Sequence, residues 1–228
     1  MKKRCVYIAV PTTDGMVTVQ VAHLLATAER LSLDPNCPFK FSWDYFCGYK
    51  PVDHMRNTIF DRFLKLGYER LWMIDADILA PTRAFAMLEV QAPIVGAQIL
   101  GYTKPQDGEG IVLSVYAFDM KDGQAHPKMP TDQGSIVDAV GGGAMVIDRA
   151  VLEDPLMHLG EGDDGTLAIW RVQTDDAGKI RLTGDVDFCQ RAAAAGYTGY
   201  EFVAHPVGGS FAEKFRDLDT LHCEDRSQ

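Results

Sequence analysis

The chain has 228 residues, 46% hydrophobic and 24% charged, and its 22 Lys/Arg against 32 Asp/Glu leave a formal net charge of −10. A chain this long buries enough surface to fold without a disulfide or metal staple, and its apolar content excludes intrinsic disorder. No stretch approaches ~20 apolar residues without a charge, so no membrane-spanning helix is expected, and the acidic balance argues against a broad grip on nucleic acid.

The basic start Met1–Arg4 leads into an apolar run too short for a signal peptide, which breaks at Pro11. Val6–Val10 reads instead as a first strand. Gly15–Leu31 carries Met16, Val19, Leu24, Leu25, Ala28 and Leu31 at helical spacing. Phe39–Phe46 is a second strand. Asp53–Leu66 is an amphipathic helix that ends at Gly67, and Arg70–Asp75 is a third, almost wholly apolar strand. Pro81 opens a helix over Thr82–Glu89, and Ile94–Ile99 is a fourth strand. This alternation predicts an α/β fold with a mostly parallel central sheet flanked by helices.

After about residue 100 the pattern changes. Short strands are expected at Ile111–Phe118, Ile136–Val140 and Ala144–Ile147, a helix over Asp185–Ala195 and a last strand at Tyr200–Ala204. No linker separates the halves. A single domain over 1–228 is expected, with a nucleotide-binding half (about 1–100) and a mixed, acceptor-side half (about 101–228). The five cysteines are scattered and form no C-x-x-C, which fits reduced thiols in a cytoplasmic protein.

The most informative stretch is Leu71-Trp72-Met73-Ile74-Asp75-Ala76-Asp77. An apolar strand runs into two aspartates one residue apart, and period-two geometry puts both carboxylates on one side of an extended chain. Open α/β sheets bind ligands at that end of their strands. A hard divalent ion, Mn²⁺ or Mg²⁺, suits such a pair of oxygen donors. The D-x-D pattern by itself means little. With 23 Asp the chain holds three such pairs, and only Asp75/Asp77 ends a buried-strand pattern. A solvated turn is the plain alternative.

The chain resembles a GT-A-type nucleotide-sugar glycosyltransferase, similar to family-two-like and phage or bacterial members. Four pieces carry the resemblance in order. Arg56-Asn57 lies in the helix before the D-x-D strand, and Leu71–Asp77 is the hydrophobic run with its D-x-D. Thr183–Ala192 is similar to the late acidic segment G-E-D-x-D-F-C-x-R-A, and His205 follows the last strand. The family's Glu-Asp pair is Gly184-Asp185 here, so the Asp is kept and the Glu is missing.

The resemblance implies a GT-A-like, Rossmann-like fold and transfer of a sugar from a nucleoside-diphosphate sugar, a UDP-sugar by preference, to an acceptor hydroxyl. It places Pro11, Thr12, Thr13, Asp14, Arg56, Asn57, Asp75, Ala76 and Asp77 around the donor, and His205 with Asp75 and Asp77 on the metal. If the enzyme inverts, Asp185 is the base, with Asp187 behind it. Gly141, Gly142 and Gly143 line the acceptor pocket or form a plain turn. Trp170 stacks on a sugar or belongs to the core. Asp14 contacts the nucleotide or caps a helix. The preferred acceptor is a glycan or small hydroxylated molecule, with a modified DNA base as the other possibility. Two further functions compete: a nucleotidyltransferase, and a non-catalytic nucleotide- or carbohydrate-binding module. The first usually carries a Lys/Arg-containing glycine loop after its first strand, which Pro11-Thr12-Thr13-Asp14-Gly15 lacks.

Overall fold

The computed structural model describes residues 2–48, 51–97, 99–103, 112–115, 117–122, 124–128, 134–162, 164–202 and 212–215. The first apolar run becomes β1 (Arg4–Thr12), followed by α1 (Val19–Leu33), β2 (Phe39–Cys47), α2 (Val52–Leu66) and the wholly buried β3 (Arg70–Ile74). Gly67 ends α2 at φ +73°, the left-handed geometry of a C-cap glycine. Thr82–Glu89 is a 3₁₀ helix where an α-helix is expected. Leu88, Val90 and Ala92 turn their carbonyls to the buried Arg70 guanidinium, which fixes the exit of this short segment.

The chain continues through β4 (Ile94–Ala97), β5 (Ile99–Thr103), β6 (Val112–Val115), β7 (Ala117–Lys121), β8 (Gln124–Pro127), β9 (Ser135–Val137), β10 (Ala139–Val140) and β11 (Ala144–Asp148). Then come α3 (Arg149–Glu153), β12 (Gly160–Glu161), β13 (Leu167–Ala168), β14 (Gln173–Thr174), β15 (Ile180–Leu182), α4 (Gly184–Ala194), β16 (Gly199–Phe202) and β17 (Ala212–Phe215). The single strand expected over Ile136–Val140 is divided at Asp138. Its carboxylate accepts from Met120 N (2.6 Å) and its own N–H donates to Phe118 O (3.1 Å), which sends β9 and β10 into different sheets.

Among the described residues the main sheet has seven strands in the order β2-β1-β3-β11-β4-β16-β9. β1 is parallel to β2 and β3, and β4 to β16. β11 runs antiparallel to both β3 and β4, and β9 antiparallel to β16. Five of the seven strands therefore point one way, and the fold is α/β with a mostly parallel central sheet flanked by helices. β11 interrupts the parallel run. Its first four residues are buried and apolar, as suits a strand covered on both faces.

Alternate strand residues divide between two cores. Val6, Ile8, Val10, Trp72, Ile74 and Val146 pack with α1 and the 3₁₀ helix. Tyr7, Ala9, Leu71, Met73, Met145 and Ile147 pack with α2, α3 and α4 on the other face. This alternation decides where the site residues point. Asp75 continues the Leu71–Met73 series, on the face that α2 covers.

Candidate donor and acceptor site

The carboxyl ends of β1 and β3 lie side by side, and a cleft of about 450 Å³ opens there. Its walls are Pro11–Asp14 and Met16–Thr18 after β1, Val52, Met55 and Arg56 at the start of α2, and Asp75–Asp77 after β3. β3 stops at Ile74, and Ile78 N bonds back to Asp75 O (3.2 Å). The aspartates therefore sit in a turn, not on an extended chain, yet both line the cleft. Backbone bonds fix that turn: Asp75 N to Gly143 O (2.8 Å), Ala76 N to Pro11 O (3.3 Å) and Thr18 N to Ala76 O (2.9 Å).

Arg56 stands in the second turn of α2 and is 5% exposed. Its Nη2 donates to Asp75 Oδ1 (2.5 Å) and to Gly142 O (3.0 Å), and its guanidinium lies 5.7 Å from the Trp170 ring centroid. Asn57 faces away from the cleft. Its Nδ2 donates to Trp170 O (2.9 Å), while its Oδ1 accepts from Ile169 N (2.9 Å) and Trp170 N (2.7 Å). That amide clamps the 169–170 segment, because both of its ends are spent on backbone.

Asp14 does not cap α1. Thr18 does, accepting from Val21 N (3.2 Å). The Asp14 carboxylate accepts from Met16 N (2.9 Å) and folds its own loop, with Gly15 beside it at φ +81°. The cleft residues that sequence reasoning missed are Met16, Val17, Thr18, Val52 and Met55. Thr18 alone carried a signal, as a threonine placed to cap a helix.

The acceptor-side candidates meet at the glycine run between β10 and β11. Gly142 N donates to Asp185 Oδ2 (3.2 Å), and Asp185 occupies the first turn of α4, where the helix end favours a negative side chain. Trp170 is 4% exposed. It stacks on Phe188 (centroids 5.4 Å) and fills the space over Gly142 and Gly184, so the expected sugar-stacking face is not offered. Asp187 is 1% exposed and fully engaged, by Arg171 Nε (3.1 Å), Arg191 Nε (2.8 Å) and Gln173 Nε2. This carboxylate joins α4 to the segment after β13, which leaves Asp185 as the aspartate of the first turn of α4 that is not fully buried. Behind them the Cys189 thiol is pushed up to about 12 by burial, so it stays neutral and is no nucleophile. His205 lies outside the described residues.

A second concavity of about 520 Å³ sits at the opposite end of the sheet. Most of its charged groups are already engaged: Arg70 Nε with Asp148 Oδ1 (2.5 Å), Arg149 Nε with Glu153 Oε1 (2.6 Å), Glu69 Oε2 with Cys5 N (2.9 Å), and Arg4 over the Phe39 ring (5.0 Å). It lies at the amino end of the parallel strands, where α/β sheets do not place ligands. Among the described residues no three His, Cys, Asp or Glu side chains gather as a metal cage, and no helix is long and apolar enough to cross a membrane.

No family model matches the sequence, and no curated protein matches it. Among solved structures the chain is similar to A197 from STIV, at 15% identity over 94% of this chain and 86% of that one, with a TM-score of 0.47. It is similar to the inositol-1-phosphate CTP transferase from T. maritima at 11% identity, over 96% and 91% of the two chains, with a TM-score of 0.43. It is also similar to TarS 1-349 from S. aureus at 12% identity, over 94% of this chain and 60% of that one, with a TM-score of 0.42. At scores below 0.5 these likenesses decide no function, and the site must.

Proposed function

We propose that the chain is a cation-dependent glycosyltransferase that moves a sugar from a nucleoside-diphosphate sugar to an acceptor hydroxyl. The observation that carries this reading is the cleft itself. It sits where open α/β sheets bind nucleotides, the Asp75–Asp77 turn lines it, and the Asp185 carboxylate is linked to Asp75 through Gly142 and Arg56. Among the described residues three carboxylates line it (Asp14, Asp75, Asp77) against one guanidinium, Arg56, which already pairs with Asp75. An anionic donor entering such a site needs a cation.

The donor set fits that cation. Mg²⁺ and its like are held by one or two carboxylates, with substrate phosphates and water completing the shell, and not by an all-protein cage. Asp75 and Asp77 would hold it, with His205 as the proposed further ligand. When bound, the ion offsets the charge that grows on the leaving diphosphate. The chain's own residues do the rest. Thr13 and Asp14 offer a hydroxyl and a carboxylate to the nucleoside, whereas the buried Thr12 hydroxyl is spent on Met16 O and Gly15 N and shapes the loop. Met16, Val17, Val52 and Met55 supply an apolar wall. Asp185 takes the proton from the acceptor hydroxyl.

A nucleotidyltransferase would bring a triphosphate to the same cleft, where Arg56 is the one lining Lys or Arg among the described residues. This favours the diphosphate-sugar reading. The acceptor proposed is a glycan or small hydroxylated molecule.

The test is a screen of nucleotide sugars with Mn²⁺, read as released nucleoside diphosphate. Turnover should vanish in excess EDTA, and Asp77→Ala should lose about 10²-fold or more, some 3 kcal/mol of barrier. Release of pyrophosphate from a nucleoside triphosphate and a sugar phosphate would replace this reading with nucleotidyl transfer. Wild-type rates in Asp77→Ala would end it.

A further inference from the structure

Arg56 is poorly placed for stability. It is 5% exposed, its Nε has no hydrogen-bond partner, and its Nη1 meets only the Met73 sulfur at 3.4 Å. A buried guanidinium with unmet donors is costly, and an apolar side chain of similar volume would serve a core better. What this arginine supplies is one nitrogen, Nη2, shared between Asp75 Oδ1 and Gly142 O.

Gly142 uses its other backbone group differently. Its N–H goes to Asp185 Oδ2, while the neighbouring Gly143 carbonyl accepts from Asp75 N. The donor-side and acceptor-side carboxylates are therefore joined through two residues of one turn. Trp170 closes the frame. A Cβ on Gly142 would lie 3.1 Å from the Trp170 ring, and one on Gly184, next to Asp185, would lie 1.9 Å from Trp170 Nε1. The tryptophan's own backbone is held by Asn57, the residue after Arg56 on α2.

We infer that Arg56 is a positioning residue that sets the acceptor-side Asp185 relative to the donor-side Asp75, acting through the backbone of Gly142 with Trp170 as the wedge. The inference rests on the glycosyl-transfer reading and adds a link between its two halves. Lysine can reproduce only part of it, because an ammonium could donate to the carboxylate and the carbonyl but has no plane to lay against the Trp170 ring.

The test compares wild type, Arg56→Lys and Arg56→Met. Hydrogen exchange over residues 141–143, read by mass spectrometry on the metal-free protein, reports the frame without any turnover. Exchange there should speed up about tenfold or more in Arg56→Met and by less in Arg56→Lys, with both variants still cooperatively folded. The KM for the acceptor should rise about fivefold or more in both, although Arg56 lies in the donor cleft. Unchanged exchange at 141–143 overturns the frame whether or not turnover is found. Faster exchange with an unchanged acceptor KM makes Arg56 a donor-side or purely structural residue and overturns the positioning role. Absence of turnover in wild type removes the glycosyl-transfer reading and this role with it, while the exchange result still decides the frame.

Discussion

Gly184 has no room for a side chain. A methyl there would meet Trp170 Nε1 at 1.9 Å and Cε2 at 2.7 Å, whereas at Gly142 the nearest atom is 3.1 Å away. Gly184→Ala should therefore cost about 1–3 kcal/mol by overpacking, and Gly142→Ala clearly less, in urea unfolding. Equal costs would mean that Trp170 yields freely. The two aspartates that follow should separate just as cleanly. Asp187 is buried between Arg171 and Arg191, so Asp187→Asn should destabilise by about 3 kcal/mol, the scale of a broken buried pair. Asp185→Asn should leave stability and nucleoside-diphosphate affinity near wild type and remove most turnover. If Asp187→Asn unfolds like wild type, its ion pairs are decorative. If Asp185→Asn loses nucleotide affinity, that carboxylate belongs to the donor.

The elements were more legible than their pairings. The apolar runs at 6–10, 39–46 and 70–75 and the helices at 53–66 and 185–195 stand within a residue or two of β1, β2, β3, α2 and α4, because local periodicity and a capping Gly67 are sequence properties. The run at 144–147 was equally readable as a strand. Its insertion between β3 and β4 was not, because pairings over about fifty positions to β4 and seventy-odd to β3 leave no local trace. Yet that insertion brings Gly142 and Gly143 beside Asp75, so the link between the two halves of the site was the part hidden from the sequence. Start signals misled in a similar way. Helical spacing began at Gly15, but α1 begins at Val19, and Thr18 both caps it and donates to Ile78 O (2.8 Å) behind the Asp75–Asp77 turn. Thr18→Ala should thus cost about 1 kcal/mol as a lost cap and also weaken cation binding by loosening that turn. Asp14→Ala should leave thermal stability almost unchanged and act on nucleotide affinity alone. A stability loss in Asp14→Ala as large as in Thr18→Ala would restore it as a capping residue.

The central strands of the sheet are buried between helices on both faces, and the core on the α2 side encloses two weak acids. Tyr7 is 1% exposed; burial first, and then its 2.6 Å hydrogen bond to Asp44, raise its hydroxyl above the usual tyrosine range. Cys189 is 3% exposed and pushed up to about 12, chiefly by burial. In the unfolded chain these groups ionise near pH ~8.5 for Cys and ~10 for Tyr. Below pH ~8.5 both states hold both protons, and the full stability is present. Above it the unfolded chain releases the Cys189 proton while the folded chain keeps it, so unfolding becomes easier by about 1.4 kcal/mol per pH unit. Above pH ~10 Tyr7 adds a second slope of similar size, and the Cys189 contribution is exhausted near pH 12. Unfolding free energies from urea titrations at pH 8, 9, 10 and 11 should therefore fall along a line that steepens at the tyrosine. Cys189→Ala should flatten the segment between pH 9 and 10, whatever constant offset its small cavity adds, and Tyr7→Phe should remove the steepening above pH 10. If Cys189→Ala falls as steeply as wild type between pH 9 and 10, the buried thiol is not what limits stability in alkali.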